Sequence, residues 1–261
     1  MNEMSFKDRF LVVIRSFLLQ ASFNYERFQN IGFLFIILPF LKRIYKDDPA
    51  QLRNSLLRHL DIFNTNPYMS CFVVGNIIKM EMLKEDEKKI INIKQALACA
   101  FASIGDRIFW ARLRVLTSIL TLLLFLIFYF FSSINSEAIA VCVISSLIFY
   151  SFSSIYIRWI GTDYGWKCAG ERNCGIDTFN WNRWIRILSR IGFFLITISI
   201  FLIFFLYGYL YINNNNKDIV FYVSIPIISF LLQRYFRKNK KSIFYPVISF
   251  IIISFILASI W

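Results

Sequence analysis

Histidine, glycine, proline and acidic residues are all scarce in this chain of 261 residues. It has one histidine, His59, so a zinc site or a relay of several histidines has no material to work with. Glycine and proline number nine and five, which excludes collagen-like and loop-rich classes. The five cysteines (71, 99, 142, 168 and 174) form no CxxC pair and exclude a disulfide scaffold. Charged residues are only 17% of the chain, and the 16 acids are outnumbered by 29 Lys and Arg, for a net charge of +13. Disorder needs the opposite balance of charge to apolar content. What is abundant is apolar: 57% of residues are hydrophobic and 30 are Phe. That exceeds the level of an average soluble domain.

The apolar residues lie in runs. Residues 115–136, 138–157, 191–212 and 242–261 carry no charge over 22, 20, 22 and 20 positions. About 20 helical residues cross a bilayer core. A fifth run, 219–233, has 15 residues and contains Pro226. The expectation is five transmembrane helices, with no cleavable signal peptide ahead of them. The basic residues alternate with the spans. Residues 1–114 hold 17 Lys and Arg, 158–190 hold six, and 234–241 hold five with no acid. The other two connections carry only Glu137 and the pair Lys217 and Asp218. The positive-inside rule places the N-terminus in the cytoplasm and the C-terminus outside. It also accounts for the +13 without a nucleic acid. In a cytoplasmic loop Cys168 and Cys174 are expected as free thiols.

Residues 1–114 read differently from 115–261, and the two are taken as separate regions. Residues 9–23 place Phe10, Ile14, Phe17, Leu18 and Ala21 on one helical face, an amphipathic pattern suited to a membrane surface. The apolar runs 31–41, 71–78 and 95–104 are too short to cross alone and suit buried or re-entrant segments. Residues 80–94 are dense in charge and read as a solvated turn. The fold class is therefore all-α: a polytopic integral membrane protein with N-terminal amphipathic and re-entrant helical segments followed by about five transmembrane helices.

Polar clusters interrupt this background. QASFNYERFQNIG covers residues 20–32, RHLDIFNTNPYM 58–69, SIGDRIFWARLR 103–114 and RWIGTDYGWKCAG 158–170. The first three have structural readings: Gly32 ends a helix, Thr65 or Asn66 caps one with Pro67 in its first turn, and Asp106 caps the helix leading into the first span. Charges at membrane depth need partners, and the candidate pairs are Glu26 with Arg27, and Asp106 with Arg107 or Arg114.

Taken together, the strings resemble the IID component of the mannose/fructose/sorbose-type bacterial phosphotransferase system. That family carries NYERMQ followed by GF, then RHLxFFNTHPY, GIGDSLFWGTLRP and RWYGxxYGYKxG. The resemblance is densest in the first two motifs and runs from about Arg15 to Gly170. Departures are Phe28 for Met, Asn66 for His, Arg107 for Ser, Ala111 for Gly and Val115 for Pro. The C-terminal half is poorer in glycine, and the connection 213–218 is shorter than the family's.

The resemblance implies a membrane subunit that forms a complex with a IIC partner, as a trimer of such pairs. The pair translocates a hexose or related sugar while IIB, fed by IIA, phosphorylates it. It implies a substrate pocket or IIC interface built from Asn24, Tyr25, Glu26, Arg27, Gln29, Asn30, His59, Asn64, Thr65, Pro67, Asp106 and Trp110. Gly32, Gly105, Arg114, Arg158, Gly161 and Gly165 are motif positions of structural kind. No catalytic residue, cofactor or metal is expected, and His59 is not expected to carry phosphate. The competing reading is a non-transporting accessory, regulatory or immunity membrane protein of the same fold. A membrane-embedded enzyme would need a clustered acid/base or metal set, which sparse intramembrane charge does not offer.

Overall fold

The computed structural model describes residues 4–131, 135–171 and 173–214. Its regular elements among these residues are all helices, with isolated bridges at Asn24, Phe28 and Phe63 in the connections. In chain order the helices are α1 (Phe6–Ser16), α2 (Asn30–Ile44), α3 (Pro49–His59), α4 (Ser70–Met82), α5 (Glu87–Gly105), a π-helical segment (Asp106–Leu113), α6 (Arg114–Phe131), α7 (Ser136–Lys167) and α8 (Trp181–Asn214). Residues through Ile196 form one compact unit, and Thr197 begins a second, described as helix through Asn214.

Among the described residues three stretches are long and apolar enough to cross a membrane: Glu87–Phe131, Ser136–Lys167 and Trp181–Ile203. The expected spans at 219–233 and 242–261, and the basic turn 234–241, lie outside the described residues. The run 95–104 is not a separate short piece. It belongs to a continuous 45-residue helix, because α5 passes through the π segment into α6 without a break. Asp106 accordingly caps nothing. It has helical φ/ψ of −62° and −41° and opens the π turn, where an extra residue per turn shifts the register of every following side chain.

Helix starts obey local chemistry. Ser5, Asp48, Asp86 and Asn135 each accept a hydrogen bond from the backbone N–H three residues on, at 3.1, 2.9, 3.1 and 2.9 Å. The amphipathic segment is helical only through Ser16 and continues as turns. Val12 and Val13 face the protein, while Phe10, Ile14, Phe17 and Leu18 are half exposed.

The core is built around α4, whose sequence SCFVVGNIIKMEM is apolar nearly all round and buried nearly all round. It packs against α7 through glycines. A Cβ at Gly75 would stand 2.3 Å from the Thr162 carbonyl oxygen, and one at Gly165 would stand 2.2 Å from that of Phe72. Small residues that let backbones approach this closely are a hallmark of helix pairs in membranes. Gly161 receives the Phe72 ring, which stacks on Phe101 with centroids 4.6 Å apart. Gly32 does not end a helix either. It sits buried within α2, where a Cβ would lie 1.9 Å from the Leu19 carbonyl oxygen. Cys168 and Cys174 are joined by a disulfide, contrary to the expectation of free thiols. The turn after α7 brings their Cα atoms to 5.3 Å, within bridging reach.

Candidate functional site

The first two polar motifs form one object. Between α1 and α2 the chain doubles back at Asn24 and Phe28, which exchange backbone hydrogen bonds of 3.0 and 2.9 Å. The return needs Phe28 at φ +58°, a conformation uncommon for a bulky residue. Asn24 braces the turn from inside. Its Oδ1 accepts from the Arg27 N–H at 2.7 Å and its Nδ2 donates to Asn30 Oδ1 at 2.9 Å. Gln29, buried, reads the backbone of Thr65 in both directions: Nε2 donates to the Thr65 carbonyl at 2.9 Å, and Oε1 accepts from the Thr65 N–H at 3.0 Å. Asn30 Nδ2 donates to the Leu60 carbonyl at 2.7 Å, and Arg27 Nη1 reaches the same oxygen at 3.4 Å.

The third motif joins through Asn66, whose Nδ2 donates to Asp106 Oδ1 at 2.9 Å. Gly105 makes room for it, since a Cβ there would lie 2.4 Å from the Asn66 Cβ. Asn66 Oδ1 also accepts from the Tyr68 N–H at 3.1 Å, so Asn66 organises the approach to α4, which itself starts at Ser70. The fourth motif closes on the same place: the Arg158 guanidinium lies over the Tyr68 ring at 4.7 Å, and the Tyr150 hydroxyl donates to that of Tyr68 at 2.9 Å.

The residues therefore divide by position. Gln29, Asn30, Thr65 and Pro67 are buried and, with Asn24, fix the loops. Tyr25, Glu26, Arg27 and Asn64 are exposed on those fixed loops, Tyr25 almost wholly, and Asp106 and Trp110 are exposed on the π-helical segment that Asn66 contacts. Neither expected ion pair forms. Among the described residues Glu26 and Arg27 make no ion pair with each other, and Asp106 takes Asn66 in place of Arg107 or Arg114. Arg114 is exposed at the start of α6.

Arg58 and His59, which open the second motif, belong to a buried charge cluster whose acid, Glu81, lies outside the motifs. Glu81 Oε1 accepts from Arg58 Nε and His59 Nε2, both at 2.8 Å, and Oε2 accepts from Arg58 Nη2 and the Tyr45 hydroxyl, both at 2.7 Å. Lys94 Nζ donates to the Arg58 carbonyl at 3.2 Å. Glu81, His59 and Lys94 are fully buried, so the charge-dense stretch 80–94 is not simply solvated. Its first and last charges fold inward, onto partners in α2 and α3 that periodicity cannot reveal. Burial alone would raise the Glu81 carboxyl, but the bonds from His59, Arg58 and Tyr45 outweigh it and hold it at about 2. Burial pushes His59 down to about 4 against the pull of Glu81, so it is neutral and donates from Nε2, and its Nδ1 has no partner. Burial, then the Glu81 bond, raises Tyr45 to about 12. Among the described residues no three His, Cys, Asp or Glu side chains converge as a metal site.

Fold and site together define a helical membrane protein whose N-terminal loops are locked into a platform carrying exposed polar and aromatic side chains. The family model described as "PTS system mannose/fructose/sorbose family IID component" matches residues 3–261, and the chain belongs to that family. The mannose-specific EIID component of Escherichia coli K12 is 34% identical over 108 residues, 40% of this chain and 38% of the relative. The fructose permease IID component of Bacillus subtilis is 38% identical over 114 residues, 41% of each chain. The sorbose-specific EIID component of Klebsiella pneumoniae is 30% identical over 162 residues, 59% of this chain and 54% of the relative. In these alignments the chain thus spans about half or less of each relative's length. A chain of the cryo-EM structure of the mannose transporter ManYZ with microcin E492 shares the fold at a TM-score of 0.55 and 19% identity, over 99% of this chain and 98% of that one.

Proposed function

We propose that this chain is the IID half of a membrane complex with a IIC partner, which carries a hexose or related sugar inward as IIB phosphorylates it. The observation that supports the reading is the platform itself. Tyr25, Glu26, Arg27 and Asn64 are exposed on loops that four buried residues and Asn24 hold rigid, Asp106 and Trp110 are exposed on the adjoining π-helical segment, and rigid support is what a binding surface needs and a solvated loop does not. In this reading the exposed set forms the sugar pocket or the IIC interface, and the buried set positions it. The pairs assemble as trimers, and IIA supplies phosphate to IIB.

Helices α2 and α4, with 15 and 13 residues, are too short to cross and act as the re-entrant pieces of the motif-bearing region 1–114. Residues 115–261 supply about five spans, with the N-terminus cytoplasmic and the C-terminus outside in the bacterial cytoplasmic membrane. The exposed part of residues 84–89 and the connection after α7 face IIB. His59 takes no phosphate, because it is buried and its Nε2 is engaged by Glu81.

The test is sugar uptake by Glu26→Gln and Asp106→Asn. Both insert and accumulate normally and both transport poorly. Wild-type uptake in both removes the assignment. A non-transporting accessory role is favoured by the nine glycines and the short 213–218 connection, and it predicts that neither substitution changes uptake.

A further inference from the structure

Helix α7 carries twenty consecutive uncharged residues, 138–157. At 1.5 Å per residue these cover about 30 Å, the thickness of a bilayer core. The next residue is Arg158, placed where headgroups begin. It is only 3% exposed. Its Nη1 donates to the carbonyl of Ser154 at 3.2 Å and to the Ser154 hydroxyl, while its Nε is buried without a partner. The guanidinium lies between the rings of Phe17 and Tyr68, at 4.6 and 4.7 Å.

No carboxylate neutralises it. The acids of α7 are Glu137, at the other end, and Asp163, which is held by Arg9 and, at 2.8 Å, by Lys167. Among the described residues no ion pair reaches Arg158. A charge withdrawn from water is compensated by an opposite charge in good geometry, and ring faces supply only part of that.

Arg158 forms part of the wall of a cavity of about 330 Å³. Ser154 and Gln20 add polar atoms, Trp110, Tyr68 and Tyr150 add aromatic surface, and Leu19 and Ile155 are apolar. Aromatic rings of this type concentrate at the headgroup level, and guanidinium matches phosphate geometry. We propose that this cavity binds the phosphate of an anionic phospholipid, with Arg158 as its charge partner. The lipid supplies the missing anion and its glycerol backbone meets the apolar wall. The cavity adjoins the exposed platform, with Pro67, Tyr68 and Trp110 in its wall, but its charge is Arg158, which the platform does not use.

The test uses the full chain purified in mild detergent with its accompanying subunits. Phosphatidylglycerol, phosphatidylcholine and inorganic phosphate are titrated separately, with native mass spectrometry and thermal melting as readouts. Phosphatidylglycerol binds and raises the melting temperature of the wild type, and the other two do so weakly or not at all. Arg158→Gln weakens phosphatidylglycerol by about tenfold or more, the loss expected for a charge-assisted hydrogen-bonded contact. Ser151→Trp, which fills the cavity from α7 and keeps the arginine, weakens it as well while leaving the unliganded melting temperature near wild type. Equal binding of phosphatidylglycerol by wild type and Ser151→Trp overturns the proposal whatever happens to Arg158→Gln. So does equal stabilisation by inorganic phosphate, which makes a free anion the ligand. A purified complex that takes up no lipid also overturns it, leaving a partner subunit's carboxylate to fill the cavity.

Discussion

Replacing Glu81 by Gln removes one negative charge from a point where four donor atoms converge. Arg58 Nε, Arg58 Nη2, His59 Nε2 and the Tyr45 hydroxyl all lie within 2.8 Å of its two oxygens. A carboxylate accepts from all four. An amide has one oxygen and one NH2, so whichever way it turns, two of the four contacts become donor against donor. The tyrosine hydroxyl can rotate and His59 can change tautomer, but each Arg58 nitrogen can only donate. The Arg58 side chain is 10% exposed and those of Glu81 and His59 are 0% exposed, so water does not replace the lost charge. Breaking a buried ion pair by removing one partner costs about 3–5 kcal/mol. Denaturant unfolding in mild detergent, followed by tryptophan fluorescence, measures it. Glu26→Gln is the control, exposed and unpaired, with an expected change within about 0.5 kcal/mol. A loss below about 1 kcal/mol in Glu81→Gln refutes the view that this cluster ties α2, α3 and α4 together.

Acidification probes the same cluster through its protons. His59 sits at about 4 in the fold against an ordinary 6.5, so between those values the unfolded chain binds the extra proton. Its contribution is complete above pH 6.5 and is lost as pH falls toward 4, worth up to about 3 kcal/mol. Glu81, held at about 2, contributes above pH 4.5 and loses that contribution as pH falls toward 2. As His59 is the sole histidine, unfolding of His59→Gln shows no slope between pH 6.5 and 4.5; an unchanged slope contradicts the assignment. Gly165→Ala forces α4 and α7 apart and lowers unfolding free energy by about 1–3 kcal/mol or more. Gly192→Ala, whose Cβ meets only the Leu116 side chain, Cδ2 at 3.4 Å and Cγ at 3.9 Å, is neutral or stabilising by up to about 1 kcal/mol. Equal losses in the two argue against the glycine seam.

Helices α6, α7 and α8 were readable because charge-free runs of bilayer length have few other uses. The polar motifs were readable as a group because amides and carboxylates stand out against Phe and Ile. Their partners were not. Gln29 finds Thr65 across 36 residues and Asn66 finds Asp106 across 40, distances over which periodicity carries no information. Gly32 and Asp106 suggest helix ends because glycine and a short acid favour ends. In the fold Gly32 is present for the close passage of Leu19, and Asp106 lies inside a helix whose π turn absorbs it. Glu81 and Lys94 bracket a stretch of charges that looked uniformly solvated. Which members of such a stretch turn inward is decided by α3, through Arg58 and His59.

The central claim is that this chain is required for sugar translocation with a IIC partner. The most direct measurement is uptake of labelled mannose, fructose and sorbose in cells that retain the partner, with this chain deleted and then restored. Uptake and intracellular phosphorylated sugar for at least one of the three should disappear on deletion and return with the wild-type chain. Restoration by Glu26→Gln or Asp106→Asn should be poor. Uptake of all three sugars that is unchanged by deletion contradicts the claim.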